Sequence, residues 1–133
     1  MSSRKRLEGT KIRIVDVGAV GVPVSDQGQA LDFYVGKLGF ELRMDVPMPG
    51  GGRRIMVAPP DARTAIALVA ASEGVPAGVE TGIRFTTKDA DADHAELQAA
   101  GVDADDVLRW PGVPAMFAFR DQDANGLEIV ETT

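Results

Sequence analysis

Apolar and polar positions change period along this chain in the same order twice. From Ile12 to Val24, β-branched and apolar residues recur at Ile12, Ile14, Val15, Val17, Val20, Val22 and Val24, a strand pattern that Pro23 ends or marks as an edge. The period then lengthens. Ser25-Asp26 offers a helix N-cap, Gln29 stands three residues on at capping-box spacing, and Leu31, Tyr34 and Leu38 share one helical face. Gly39 supplies the left-handed conformation that stops a helix. Alternation returns over Phe40 to Val46, again over Arg53 to Ala58 beyond the turn Pro47-Met48-Pro49-Gly50-Gly51-Gly52, and again over Thr64 to Ala70 after Pro59-Pro60-Asp61. The first half predicts β-α-β-β-β.

Ser72 to Glu80, with Gly74, Pro76 and Gly78, reads as a linker, and the same order then recurs. Thr81 to Thr87 is a strand, Asp89 caps a helix with Ala90, His94 and Leu97 on one side, and Gly101 ends it. Strands follow over Asp105 to Trp110, Pro114 to Arg120 and Gly126 to Glu131, with a tight turn across Asp121 to Gly126. Asp26 and Asp89 lie 63 positions apart, Gly39 and Gly101 62. The chain is thus an internal repeat, residues 11–71 and 80–133, within one domain spanning 11–133, preceded by a flexible tail over 1–10. Each unit covers one sheet face with its helix and leaves the other bare. An α+β fold follows, in which the two repeats form a curved mixed sheet around a cleft with the helices outside. A ligand would sit in that cleft.

Composition narrows the partners. The 133 residues are 44% hydrophobic, enough for a real core, and the net charge of −6 argues against nucleic acid or an anionic membrane as partner. Arg4-Lys5-Arg6 is a short solvated run in the tail. The absence of cysteine excludes disulfides, thiolate nucleophiles and cysteine metal sites. No apolar run approaches the ~20 residues of a membrane span, and no signal-peptide segment is evident, so the expected compartment is the cytoplasm.

Several chemistries fail on the residues. Gly18-Ala19-Val20-Gly21 lacks dinucleotide-loop spacing, and Pro23 follows where a helix should open. Gly50-Gly51-Gly52 lacks the Lys-Ser/Thr of a phosphate loop, and no serine has a nucleophile-elbow context. His94, the only histidine, reads as a half-buried or solvated helical residue rather than a ligand or base.

Val22-Pro23-Val24-Ser25-Asp26, Ala30-Leu31-Asp32-Phe33-Tyr34, Leu38-Gly39-Phe40 and Val57-Ala58-Pro59-Pro60 form an ordered set. Phe85, Asp89, Leu97, Gly101-Val102 and Phe119-Arg120-Asp121-Gln122-Asp123-Ala124-Asn125-Gly126-Leu127-Glu128 continue it. Together they resemble the vicinal oxygen chelate superfamily, the glyoxalase/bleomycin resistance protein/extradiol dioxygenase group, from about Ile14 to Glu131. Gln122 and Ala124 replace the Pro and Gly of that family's closing turn, which implies an altered turn within an unchanged fold.

In metal-dependent members of that family, His, Glu or Gln from four inner strands hold a divalent ion. Counting back from Asp26 and Asp89 puts the first and third positions at Ala19 and Gly82, the other two falling on Ala67 and Glu128. Only Glu128 carries a donor, and one carboxylate does not make a divalent site, so no metal or other cofactor is expected.

Period-two alternation turns Arg54, Met56, Arg84, Met116, Ala118, Arg120 and Glu128 toward the cleft, with Trp110 at a strand end beside it. The expected ligand-binding set is Arg54, Met56, Arg84, Trp110, Met116 and Glu128, fitted to a small organic molecule with an anionic or hydrogen-bonding group. Metal-free sequestration or sensing of such a ligand is the leading reading. The alternatives are a lyase, isomerase or dioxygenase with an atypical or metal-free site around Glu128, and a silent structural domain. The resemblance also implies a homodimer, which would cover exposed sheet edges.

Overall fold

The computed structural model describes residues 11–132; the expected tail with Arg4-Lys5-Arg6 lies outside them. The eight strands form two four-stranded sheets, ordered β1-β4-β3-β2 and β5-β8-β7-β6, and each sheet is hydrogen-bonded only within itself. Strands β1 (Ala19–Val24), β2 (Glu41–Pro47), β3 (Arg53–Ala58) and β4 (Ala65–Ala70) build the first. The second contains β5 (Glu80–Thr87), β6 (Leu108–Trp110), β7 (Val113–Arg120) and β8 (Gly126–Glu131). In both modules the first strand runs parallel to the last, and the other pairings are antiparallel. The sequence repeat is therefore a repeat of β-α-β-β-β topology.

Both helices begin where the aspartates place them. Asp26 Oδ1 accepts from Gln29 N at 2.9 Å and Asp89 Oδ1 from Ala92 N at 3.0 Å, capping α1 (Gln27–Leu31) and α2 (Ala90–Ala99). The reciprocal half of a capping box is not made by Gln29. Gln27 is the glutamine that works, its amide bonding Arg53 O and Leu68 O, so that it ties the helix start to β3 and β4.

Three expectations change. First, α1 does not run regularly to Gly39; from Asp32 to Lys37 it widens into a π-helix, with Leu38 N donating to Phe33 O at 3.1 Å. The wider turn buries Phe33 and Tyr34 with Ala30, leaving Leu31 and Leu38 at the margin. Second, the strand expected over Ile12 to Val24 pairs only from Ala19. Its partner β4 is six residues long and is used up by that register, so Ile12, Ile14, Val15 and Val17 have no paired strand beside them and their side chains stand in solvent. Third, the strand expected over Asp105 to Trp110 is reduced to Leu108–Trp110.

The core crosses the module boundary. Tyr34, Ile55 and Leu68 from the first module and Phe117, Phe119 and Leu127 from the second belong to one buried cluster. An aromatic chain runs through it: Tyr34 lies 6.0 Å from Phe40, Phe40 5.3 Å from Phe85, and Phe85 6.4 Å from Phe119. The Phe40–Phe85 contact joins the halves. His94 ends the chain, edge-on to Phe117 at 5.0 Å with Nε2 2.8 Å from Asp105 O.

Candidate functional site

Alternation sorts each strand into a core face and an open face. On β3, Ile55 and Val57 are buried while Arg54 is exposed and Met56 half-buried; on β7, Phe117 and Phe119 are buried while Met116 and Ala118 are partly open. Register then shows which open residues meet. In the second sheet Glu128 lies opposite both Arg84 and Ala118, and Met116 lies opposite both Val130 and Leu108. Arg84 Nε donates to Glu128 Oε1 at 2.6 Å. Arg84, Glu128 and Met116 thus share one open face.

Arg54 and Met56 stand on the other sheet. There Gly21, Ala67, Met56 and Met44 form a line across four strands, with Arg54 opposite Val46. Met44 and Val46 were missed by the sequence reading, because the apolar alternation along β2 does not tell which face they take. A bulge between Leu42 and Met44 reverses the parity of that strand, and so carries Met44 to the open face. Trp110 ends β6, where a register shift pairs it with Val113, and it remains 51% exposed.

Arg120 is a correction. It does not look into an open cleft, because its guanidinium is held by Asp103 (3.0 Å) and Asp105 (2.7 Å) from the segment after α2, which runs beside β7. Hydrogen bonds from Arg120 hold both aspartates below the usual carboxylate range, and their acceptance raises the arginine further.

A cleft of about 900 Å³ opens between the modules along the free edge of β5. Gly82, Arg84 and Thr86 line it from the second sheet, Val20 and Ile66 from the first, and the Pro59–Thr64 loop closes one side. Arg43 steadies that loop, donating to Pro59 O and Ala62 O. Arg54, Met56, Trp110, Met116 and Glu128 do not line this cleft.

The four metal-ligand positions implied by the resemblance fare unevenly. Ala19 and Ala67 offer no donor. Gly82 sits where the β5–β8 register slips between Glu80 and Arg84, at φ +74, a conformation that disfavours any side chain. Glu128 has the only donor of the four, and Arg84 already engages it. These residues do not fit a divalent ion, and among the described residues no three His, Cys, Asp or Glu side chains come together as one could require.

The sequence family described as Glyoxalase/Bleomycin resistance protein/Dioxygenase superfamily matches residues 16–129. Among solved structures, an antibiotic binding protein from Streptomyces sp. CB03234 is 37% identical, with 92% of this chain and 99% of that one covered and a TM-score of 0.82. A glyoxalase/bleomycin resistance protein from the same organism is 39% identical over 84% of this chain and 96% of that one, with a TM-score of 0.75. A superfamily member from Sphaerobacter thermophilus DSM 20745 is 35% identical over 90% and 98%, with a TM-score of 0.84. A search of curated protein sequences gives no match.

Proposed function

This chain belongs to the glyoxalase/bleomycin resistance protein/dioxygenase superfamily, and we propose that within it the protein binds and sequesters a small organic molecule without a metal and without turnover. One observation carries the reading: Arg84 and Glu128 pair on an open sheet face while the three other ligand positions bear no donor. Arg84 spends its Nε on Glu128, and its two amino groups have no protein acceptor among the described residues. Those groups suit a carboxylate, carbonyl or phenolate oxygen of a ligand. Met116, Ala118 and Val130 beside them, and Met56 on the other sheet, suit its apolar body. The relative at 37% identity, an antibiotic binding protein, supports a ligand of antibiotic size and character.

The protein acts in this reading as a cytoplasmic homodimer. No helix among the described residues is long and apolar enough to cross a membrane. Exposed Met44, Val46, Val69, Leu108 and Trp110 give each sheet an uncovered apolar surface of the kind association buries. Light scattering on the purified chain checks the dimer, and a monomer at working concentration would remove that part of the proposal.

Three measurements test the function. Elemental analysis of protein purified without chelator is expected to find no stoichiometric Zn, Ni, Fe or Mn; a full equivalent overturns the metal-free reading. A thermal-shift screen of antibiotics and aromatic acids is expected to yield a stabilising compound, whose affinity falls about tenfold in Arg84→Ala. That compound is expected to be recovered unchanged. Its conversion, lost in Glu128→Gln, would instead establish the enzymatic alternative with Glu128 as acid or base.

A further inference from the structure

A second cavity, of about 380 Å³, lies between the modules where the end of the first helix meets α2. Its apolar wall comes from both halves: Phe40 from the first, and Phe85, Leu97, Phe119 and Ile129 from the second. Two of its aromatic residues, Phe40 and Phe85, are partly exposed, with ring centroids 5.3 Å apart, and fully buried Phe119 backs Phe85 at 6.4 Å. Asp93 and Glu96, one helical turn apart on α2, also line it, and neither carboxylate has an ion-pair partner among the described residues. Lys37 is the only cationic side chain in the lining, so two negative charges face one positive. The cavity adjoins the larger cleft at Pro59, Phe85 and Thr86, but Arg84 and Glu128 take no part in it.

We propose that this cavity is a second binding site, and that it takes an organic ammonium ion with small apolar substituents. Aromatic rings attract a cation through the negative charge of their faces, most strongly where water is excluded. The two carboxylates set the sign of the ligand, repelling an anion and favouring a cation. A bare metal ion is the poorer occupant, because two carboxylates beside a hydrocarbon wall cannot replace its hydration shell. The volume lies at the small end of ligand sites, which suits a quaternary or tertiary amine rather than a molecule of antibiotic size.

Nuclear magnetic resonance titration with choline, and with its neutral isostere dimethylbutanol in which carbon replaces the nitrogen, tests this. Choline is expected to shift the signals of Thr86, Thr87, Leu97 and Ile129 saturably, with the isostere binding about tenfold more weakly. Asp93→Asn with Glu96→Gln, two partly or fully exposed helix positions whose exchange leaves the fold intact, is expected to weaken choline about fivefold. Phe40→Leu keeps the wall apolar and removes one ring; it is expected to weaken choline more than dimethylbutanol. Equal affinity for the two probes, shifts confined to Arg84 and Glu128, or no saturable shift overturns the proposal. The ligand proposed for the Arg84–Glu128 face is tested separately, by Arg84→Ala.

Discussion

The hydroxyl of Tyr34, in the first module, donates to Asp121 Oδ2, in the second, at 2.7 Å, with both residues buried. Asp121 accepts three further hydrogen bonds, from Asp123 N, Asn125 N and Asn125 Nδ2. Asn125 continues the network, donating to Pro23 O and accepting from Gly78 N and Val79 N. Ser25 meets Asp123 nearby through both its amide and its hydroxyl. The closing turn is thus a polar staple that holds the linker, β1 and the first helix against the second module.

Tyr34→Phe keeps the ring and its packing but takes one of four donors from a buried carboxylate. The expected loss is about 1.5–3 kcal/mol, the range for a hydrogen bond to a charged group. Urea denaturation followed by Trp110 fluorescence measures it. A loss below about 0.5 kcal/mol would mean that water replaces the hydroxyl and that the staple does not depend on it.

Tyr34 is also the only tyrosine, so its ionisation can be read without interference. Burial pushes its phenol far above the ordinary range, and the neighbouring Asp121 and Asp123 charges and the hydrogen bond to Asp121 push it the same way. The fold therefore holds the protonated form. Its contribution to stability is complete below the ordinary tyrosine value of about 10 and is lost as pH rises beyond it. In an alkaline ultraviolet titration the tyrosinate band is expected to appear together with the unfolding transition. A band that rises near pH 10 in still-folded protein contradicts the buried donor.

Ala124 stands in the same turn at φ +62, where the family's closing turn usually has glycine. A side chain in the left-handed region costs about 1–2 kcal/mol, and glycine's freer unfolded state returns part of any relief. Ala124→Gly is expected to raise stability by about 0.5–1 kcal/mol and the thermal midpoint by a few degrees. Calorimetry at neutral pH decides it; a drop in midpoint refutes the claim of strain.

At the face proposed for the ligand, stability and function should separate. Arg84 and Glu128 are 65% and 37% exposed, so their ion pair adds little to folding. Glu128→Gln and Arg84→Ala are each expected to change unfolding free energy by less than about 0.5 kcal/mol. Arg84→Ala should nevertheless lose the affinity assigned to its free amino groups. A large destabilisation by either variant would make the pair structural.

Much of this architecture was legible in the sequence because it rests on short-range rules. Asp26 and Asp89 announce their helices through caps formed with residues three positions on, and period-two alternation sorts Ile55 from Met56 and Phe117 from Met116. What escaped depends on distant partners or on geometry without a compositional mark. Whether Ile12 to Val17 belong to a strand is decided by the length of β4, far along the chain. Tyr34 and Asp121 are 87 residues apart, and nothing local to either declares the bond. The π-helical turn uses residues that would serve an α-helix equally well, and the parity of Met44 follows from a bulge. Arg120 read as open because the aspartates that claim it, Asp103 and Asp105, lie 17 and 15 residues away and alternation does not declare the pairing.

Gly82 gives the proposed metal-free reading a structural test. Refilling Ala19 and Ala67 with a histidine and a glutamate changes side chains only, since neither residue has an unusual backbone angle. Refilling Gly82 forces a side chain into the left-handed region within the irregular stretch of β5, and Gly82→His is expected to cost about 1–2 kcal/mol. The triple variant Ala19→His, Ala67→Glu, Gly82→His is therefore expected to be less stable than the parent and to bind zinc no more tightly than a surface histidine does. Isothermal titration with zinc, alongside urea denaturation of the single Gly82→His variant, measures both. Tight stoichiometric zinc binding with unchanged stability would show that β5 relaxes readily to the geometry a ligand needs, and that the chelating frame survives in this chain with only its donors lost.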